Sequence, residues 1–183
     1  MTLVPSPALP AKPTAPVLLS KAGAVDLSAF SCGDDGIDHW LRRLAVGSEG
    51  YSARVYVVLA DTKVIAYFTL SNATMDRESM PVPKQRRNAP DPLPAVLLGR
   101  LGVDTAYKRN GIGANLVRHA MLQTLAVSRI AGVGALIVQP LDTVARGLYV
   151  KLGFVDFRDT SGTAEMPPML MPIGMIEAAF TGV

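Results

Sequence analysis

Cysteine, histidine and tryptophan are almost missing from this chain of 183 residues, which holds one cysteine (Cys32), two histidines (His39 and His119) and one tryptophan (Trp40). A lone thiol builds no disulfide framework and fits a reducing compartment. It also leaves no set of thiolates and imidazoles at zinc-binding spacing, so no metal is expected. Long apolar runs are lacking too: no segment approaches the ~18 apolar residues of a membrane span, which argues against a membrane partner. The opening MTLVPSPALPAKPTAP has no uninterrupted apolar stretch, and its prolines block a helix. It does not read as a secretory leader, and residues 1–17 are expected to form a loose, proline-rich arm. The expectation from these features is a cytoplasmic protein. Charge of one sign is scarce as well. Eighteen basic against fifteen acidic residues give +3, in itself a weak signal for a nucleic-acid partner.

What is present is apolar: 49% of the residues, enough for one domain with a sizeable core over 18–183. Leu18 to Phe30 is compatible with a short strand and a helical turn, ended by Ser31-Cys32-Gly33. Ile37, Trp40, Leu41, Leu44 and Ala45 recur at helical spacing, with Arg42 and Arg43 on another face. Arg54 to Leu59 and Val64 to Leu70 read as a hairpin turning at Asp61-Thr62-Lys63. Residues 72–94 show no periodicity and hold five prolines, a connection long enough to be functional or mobile. A strand at 96–103, a helix from about Gly113 to Val127, a strand at 132–138 and a helix over 143–152 closed by Gly153 follow. Strands at 154–157 and 169–173 end the series. This order predicts an α/β (α+β) domain with a mixed, mostly antiparallel sheet flanked by helices on both faces.

The stretch LLGRLGVDTAYKRNGIGANLVRHAMLQTLA (residues 97–126) organises the rest. It reads as strand, glycine-bearing loop and helix. Glycine lets backbone N–H groups crowd around a phosphate, and a helix N-terminus adds unpaired donors at the same place. Read alone, Gly111 and Gly113 serve equally as an ordinary tight turn.

Lys108-Arg109-Asn110-Gly111-Ile112-Gly113 resembles the acetyl-CoA-binding motif of the GNAT superfamily of N-acetyltransferases, Gln/Arg-x-x-Gly-x-Gly/Ala, with Lys108 as a departure from Gln or Arg. Ala145 to Phe154 (ARGLYVKLGF) resembles the family's second signature, A-x-x-F/L-Y-x-x-x-G-F. Two signatures in order are more specific than a lone glycine loop. Phe30-Ser31-Cys32-Gly33, Ile37-Asp38-His39-Trp40-Leu41 and Leu97 to Asp104 further resemble the toxin acetyltransferases of bacterial toxin–antitoxin operons.

The resemblance implies an acetyl-CoA-dependent N-acetyltransferase whose acceptor is the α-amino group of aminoacyl-tRNA, which blocks translation, with a ribbon-helix-helix antitoxin as partner. A homodimer is left open. The resemblance assigns the coenzyme's diphosphate to the loop Lys108, Arg109, Asn110, Gly111, Ile112, Gly113 and Ala114, and the pantetheine arm to the free edge of Leu101, Gly102 and Val103. Tyr149 takes the place of the general acid that protonates the departing sulfur. A tRNA acceptor needs neutralised phosphates, for which Arg42, Arg43, Arg77, Lys84, Arg86 and Arg87 are the candidates. Each assignment has a plainer rival: Tyr149 as a core residue, the basic residues as a solvated loop, Trp40 as a core anchor, and Asp104 and Asp142 as loop and helix caps. A GNAT enzyme for a small amine, a peptide or a protein N-terminus, or a silent coenzyme-binding module, remain the alternatives.

Overall fold

The computed structural model describes residues 11–158 and 166–181. Among them run seven strands: β1 (Val17–Leu18), β2 (Arg54–Ala60), β3 (Lys63–Met75), β4 (Leu93–Val103), β5 (Ala135–Val138), β6 (Val155–Asp156) and β7 (Met169–Pro172). Six helices accompany them: α1 (Asp35–Arg43), α2 (Ala45–Ser48), α3 (Pro83–Arg86), α4 (Ile112–Ser128), α5 (Thr143–Lys151) and α6 (Ile173–Thr181). The strands form one sheet in the order β1-β2-β3-β4-β5-β7-β6. Every neighbouring pair is antiparallel except β4 and β5, which are parallel and joined by α4 as a crossover. The mixed, mostly antiparallel sheet expected from the sequence is therefore present.

Local chemistry explains the helices that flank it. The Asp34 side chain accepts the Ile37 N–H at 2.8 Å and caps α1, whose first turn carries Asp35 and Asp38 and whose last carries Arg42 and Arg43. Both ends thus oppose the helix dipole. Its apolar stripe, Ile37, Trp40 and Leu41, packs on Val55, Val57 and Tyr67 on one face of the sheet. On the other face α4 buries Leu116, Val117, Ala120, Met121 and Leu125 against Phe68, Val96, Leu98, Leu136 and Val138, joined by Tyr149 of α5 and Ile176 of α6.

Several expectations need correction. The arm is not loose throughout: residues 1–10 lie outside the described residues, but Thr14 donates its N–H to the Leu59 carbonyl (2.9 Å) and accepts the Leu59 N–H on its hydroxyl (3.0 Å). Val17 and Leu18 then pair with Val57 and Tyr56. The irregular connection is shorter than 72–94, because β3 continues to Met75 and β4 begins at Leu93, with Leu70 to Met75 paired to Leu98 to Leu93. The strand expected from Gly132 starts at Ala135, and the last segment holds a helix, α6, which the sequence did not suggest.

Gly102 is where the first helix meets the central strand. A Cβ there would stand 2.9 Å from Ile37 Cγ2, 3.0 Å from Phe30 Cζ and 3.2 Å from Tyr67 Cε1. Gly102→Ala is expected to cost ~1–3 kcal/mol by overpacking, read as a fall in melting temperature of ~2–4 °C per kcal/mol. An unchanged melting temperature would show that α1 packs loosely.

Candidate active site

A break in strand pairing builds the site. Along β3, Thr69 pairs with Arg100 but Leu70 pairs with Leu98, so Gly99 is an extra residue on β4. Such a bulge bends its strand and disrupts the ladder locally. The buried Thr69 hydroxyl accepts the Arg100 N–H at 3.0 Å and fixes the bend. On the other side, β5 pairs with Ala95 to Leu98 only. From Gly99 to Val103, β4 is therefore held by β3 alone and presents unpaired backbone groups. The expected free edge at Leu101, Gly102 and Val103 is there.

That edge leads into the glycine loop. Asp104 caps the 3₁₀ turn Thr105–Tyr107, with its Oδ1 accepting the Ala106 N–H at 2.9 Å and its Oδ2 the Ser31 N–H at 3.1 Å. The chain then adopts positive φ at Arg109 (64°) and at Gly111 (75°). Arginine in this left-handed region is strained, and such strain collects at functional loops. Gly111 is the N-cap of α4, with no capping side chain and no acidic residue in the first turn. The first bond of the helix runs from Asn115 N–H to the Gly111 carbonyl. The amides of Ile112, Gly113 and Ala114 thus lack an intrahelical acceptor and form an electropositive concavity.

Loop, free edge and α5 enclose a cavity of about 650 Å³, lined by Leu101, Gly102, Val103, Lys108, Arg109, Gly111, Ile112 and Gly113, with Ala145 and Leu148 opposite. Asn110 and Ala114 flank this lining without entering it. A cavity that joins an anion-seeking helix start to a free strand edge suits a nucleotide thioester.

The segment before α1 forms another wall. Lys108 does not reach across the loop it precedes: its Nζ donates to the Cys32 carbonyl at 2.6 Å. Cys32 is fixed in turn by Asp38, which is buried and accepts the Cys32 N–H (2.8 Å), the Ser31 hydroxyl (3.0 Å) and Arg42 Nη2 (3.2 Å). Burial pushes the Asp38 pKa up, but these hydrogen bonds outweigh it and hold the carboxylate below its ordinary range. Burial pushes the Cys32 thiol up to about 11, so it is a packing residue and no nucleophile at neutral pH.

Tyr149 stands beside Leu148 on α5 but is not part of the cavity lining. Asp142 Oδ1 caps that helix through the Ala145 N–H (2.7 Å), and Arg146 clamps it to β6 with paired bonds to Asp156 of 2.5 and 2.6 Å. The Tyr149 ring leans on Phe154 at 5.4 Å and the residue is 7% exposed. Burial pushes its pKa up to about 12. No group among the described residues hydrogen-bonds its hydroxyl.

The basic candidates do not gather in one place. Arg42 is spent on Asp38 and on the Phe30 carbonyl (3.1 Å), and Arg77 on the Ala89 carbonyl (3.3 Å) and Glu78. Arg86 is half-buried, and one of its guanidinium nitrogens has no partner among the described residues. Arg43, Lys84 and Arg87 are exposed. Asp104 and Asp142 are caps, and Trp40 is a core residue stacked on Tyr67 (6.0 Å between centroids, 7° between planes). The sequence reading passed over Thr69, Asp38 and Arg100. A lone arginine inside the apolar run LLGRLGV was the available signal for the last.

Comparison with known proteins fits this geometry. Residues 51–156 match the acetyltransferase (GNAT) domain family. A tRNA-acetylating toxin of Mycobacterium tuberculosis (strain ATCC 25618 / H37Rv) is 32% identical over 132 residues, 72% of this chain and 79% of that one. The structure of AtaT complexed with acetyl-methionyl-tRNAfMet superposes with a TM-score of 0.82 at 27% identity, covering 93% of this chain and all of that one. A tyrosine-to-phenylalanine variant of AtaT bound to the C-terminus of the antitoxin AtaR and acetyl-CoA gives a TM-score of 0.75 at 28% identity, covering 92% and 98%. With its splayed fourth strand and its uncapped fourth helix, the chain belongs to the GNAT family of acetyl-CoA-dependent N-acetyltransferases.

Proposed function

We propose that this chain is the toxin of a toxin–antitoxin pair, acting in the cytoplasm by acetylating the α-amino group of aminoacyl-tRNA and so blocking translation. The observation that carries this reading is its likeness, over nearly its whole length, to AtaT in complex with acetyl-methionyl-tRNAfMet. The antitoxin expected to mask it is of ribbon-helix-helix type. In this reading residues 18–183 form the single acetyltransferase domain, preceded by the proline-rich arm of residues 1–17.

The roles follow from the chemistry. The loop of Lys108, Arg109, Asn110 and Gly111 and the free amides of Ile112, Gly113 and Ala114 hold the coenzyme's diphosphate. Leu101, Gly102 and Val103 pair with its pantetheine arm and keep the thioester, which supplies the activated acetyl group, in line with the acceptor. Tyr149 keeps its proton at neutral pH and gives it to the leaving sulfur. No dedicated base is required for the attack, because an α-amino group titrates near ~7.7–8.0 and a usable fraction is already neutral; the proton that nitrogen sheds from the tetrahedral intermediate goes to solvent, and Tyr149 takes one back from solvent after the thiol leaves. Exposed Arg43, Lys84 and Arg87 contribute to phosphate neutralisation around the site, and Arg42, Arg77 and Arg86 contribute less because they are engaged or half-buried.

The pH dependence has a definite sign. The reactive amine is the deprotonated one, so kcat/KM rises about tenfold per pH unit below ~7.7 and levels off above ~8. Tyr149, with its pKa pushed up to about 12, adds no alkaline fall below pH ~11. A bell centred near neutrality would contradict both assignments. The functional reading itself is tested in a cell-free translation mixture: synthesis stops when protein and acetyl-CoA are both added. Undiminished synthesis with both present would overturn it.

A further inference from the structure

The geometry points to Arg100 as the residue that positions the nucleic-acid acceptor, by taking a phosphate of its 3′ end on a guanidinium held over Trp40. This rests on the proposed acceptor. Arg100 is exposed, and its guanidinium carbon lies 4.5 Å from the centroid of the Trp40 ring. Trp40 is itself immobilised by its stack on Tyr67. Stacking occupies the flat face of a guanidinium and leaves the N–H donors at its rim free, so the fork is oriented but unspent.

Of the two arginines on α1, the helix that carries Trp40, Arg42 binds Asp38 and the Phe30 carbonyl, whereas Arg43 is exposed and, among the described residues, is not held over a ring. Among the described residues the Arg100 side chain forms no ion pair and no hydrogen bond; only its backbone N–H is engaged, by Thr69. The nearby carboxylates are taken: Asp38 by Cys32, Ser31 and Arg42, and Asp34 by the Ile37 N–H.

Its place gives the free fork a purpose. Arg100 directly precedes Leu101–Val103, on the stretch of β4 that β5 leaves unpaired. It shares a sheet face with Gly102, under α1, because strand residues two apart point the same way. An aminoacyl ester whose α-amine reaches the strand edge brings its ribose and the adjoining phosphate within reach of one side chain. Planar, bidentate donors suit that phosphate. A small free amine offers nothing for Arg100 to hold.

The test compares two acceptors, charged tRNA and the methyl ester of the same amino acid, with wild type, Arg100→Gln and Arg100→Lys. For Arg100→Gln, KM for charged tRNA rises about 10- to 100-fold, the loss of a charge-assisted bond, with kcat within about threefold. Activity on the ester and acetyl-CoA affinity stay at wild-type values. The slope of log KM against log salt becomes shallower by ~0.7, one single-strand phosphate contact. Arg100→Lys keeps the charge and loses the fork, and shows a several-fold rise in KM alone. It decides the matter if Arg100→Gln does not fold. Equal losses on both acceptors, or an unchanged KM and salt slope for charged tRNA, would overturn the assignment. Wild type that acetylates the ester but never charged tRNA overturns the acceptor reading itself, and Arg100's role with it.

Discussion

Tyr149→Phe lowers kcat by about 10²- to 10⁴-fold, the range of a general acid, while acetyl-CoA affinity stays within a few-fold of wild type. The ring is what the fold uses: it packs on Phe154 and inside the cluster that joins α4, β5 and β7. Phenylalanine preserves that contact. The expected change in melting temperature is small, because phenylalanine keeps the packing of the ring. The two readouts separate the roles. A tyrosine that merely filled the core would change neither activity nor stability. A tyrosine that oriented the coenzyme would raise the dissociation constant along with the loss in rate. Stopped-turnover assays with titration calorimetry on the same preparation distinguish the three, and full turnover by Tyr149→Phe would discard the acid role.

Gly113→Asp is expected to move binding and stability in opposite directions. Gly113 is the second residue of α4, and a Cβ there meets Leu148 Cδ2 at 3.7 Å and Val103 Cγ2 at 3.9 Å, ordinary contact distances. A carboxylate in the first turn of an uncapped helix favours the helix dipole by ~0.3–1 kcal/mol. The same carboxylate would stand among the amides that hold the diphosphate. Two like charges ~4 Å apart in a partly screened site repel by roughly 4 kcal/mol, so acetyl-CoA binding weakens by two to three orders of magnitude. Thermal unfolding with and without coenzyme reads both effects. Wild type gains stability with coenzyme, as any binding to the folded state requires. The variant starts level or higher and gains nothing. A variant that binds as tightly as wild type would move the diphosphate away from α4.

Which parts of this were legible beforehand follows from the range of the interactions. The glycine loop and α4 were, because turn chemistry and helical periodicity are local. So were the caps Asp104 and Asp142, whose partners lie two and three residues away. The splay of β4 was foreseen only through resemblance. Its cause, the bulge at Gly99 and the end of β5 pairing at Leu98, is a matter of register between distant strands. Asn72 to Met75 has little strand propensity of its own and is extended because β4 pairs with it. Helix α6 was obscured by Pro172 and Gly174 and by a lack of amphipathic contrast, with Ile176 as its one fully buried residue. Lys108 illustrates the limit best. Its sequence position pointed to the cradle, but its ammonium joins Cys32, 76 residues earlier, and couples the wall before α1 to the loop.

Everything proposed for this chain converges on one transfer, and labelled acetyl-CoA reads it directly. The protein is incubated with charged and uncharged tRNA, the RNA is recovered, and mild alkali releases the esterified amino acid. Label recovered as the N-acetyl amino acid from charged tRNA alone is the predicted result. Label found only on free amines or protein, with none on charged tRNA, would contradict it.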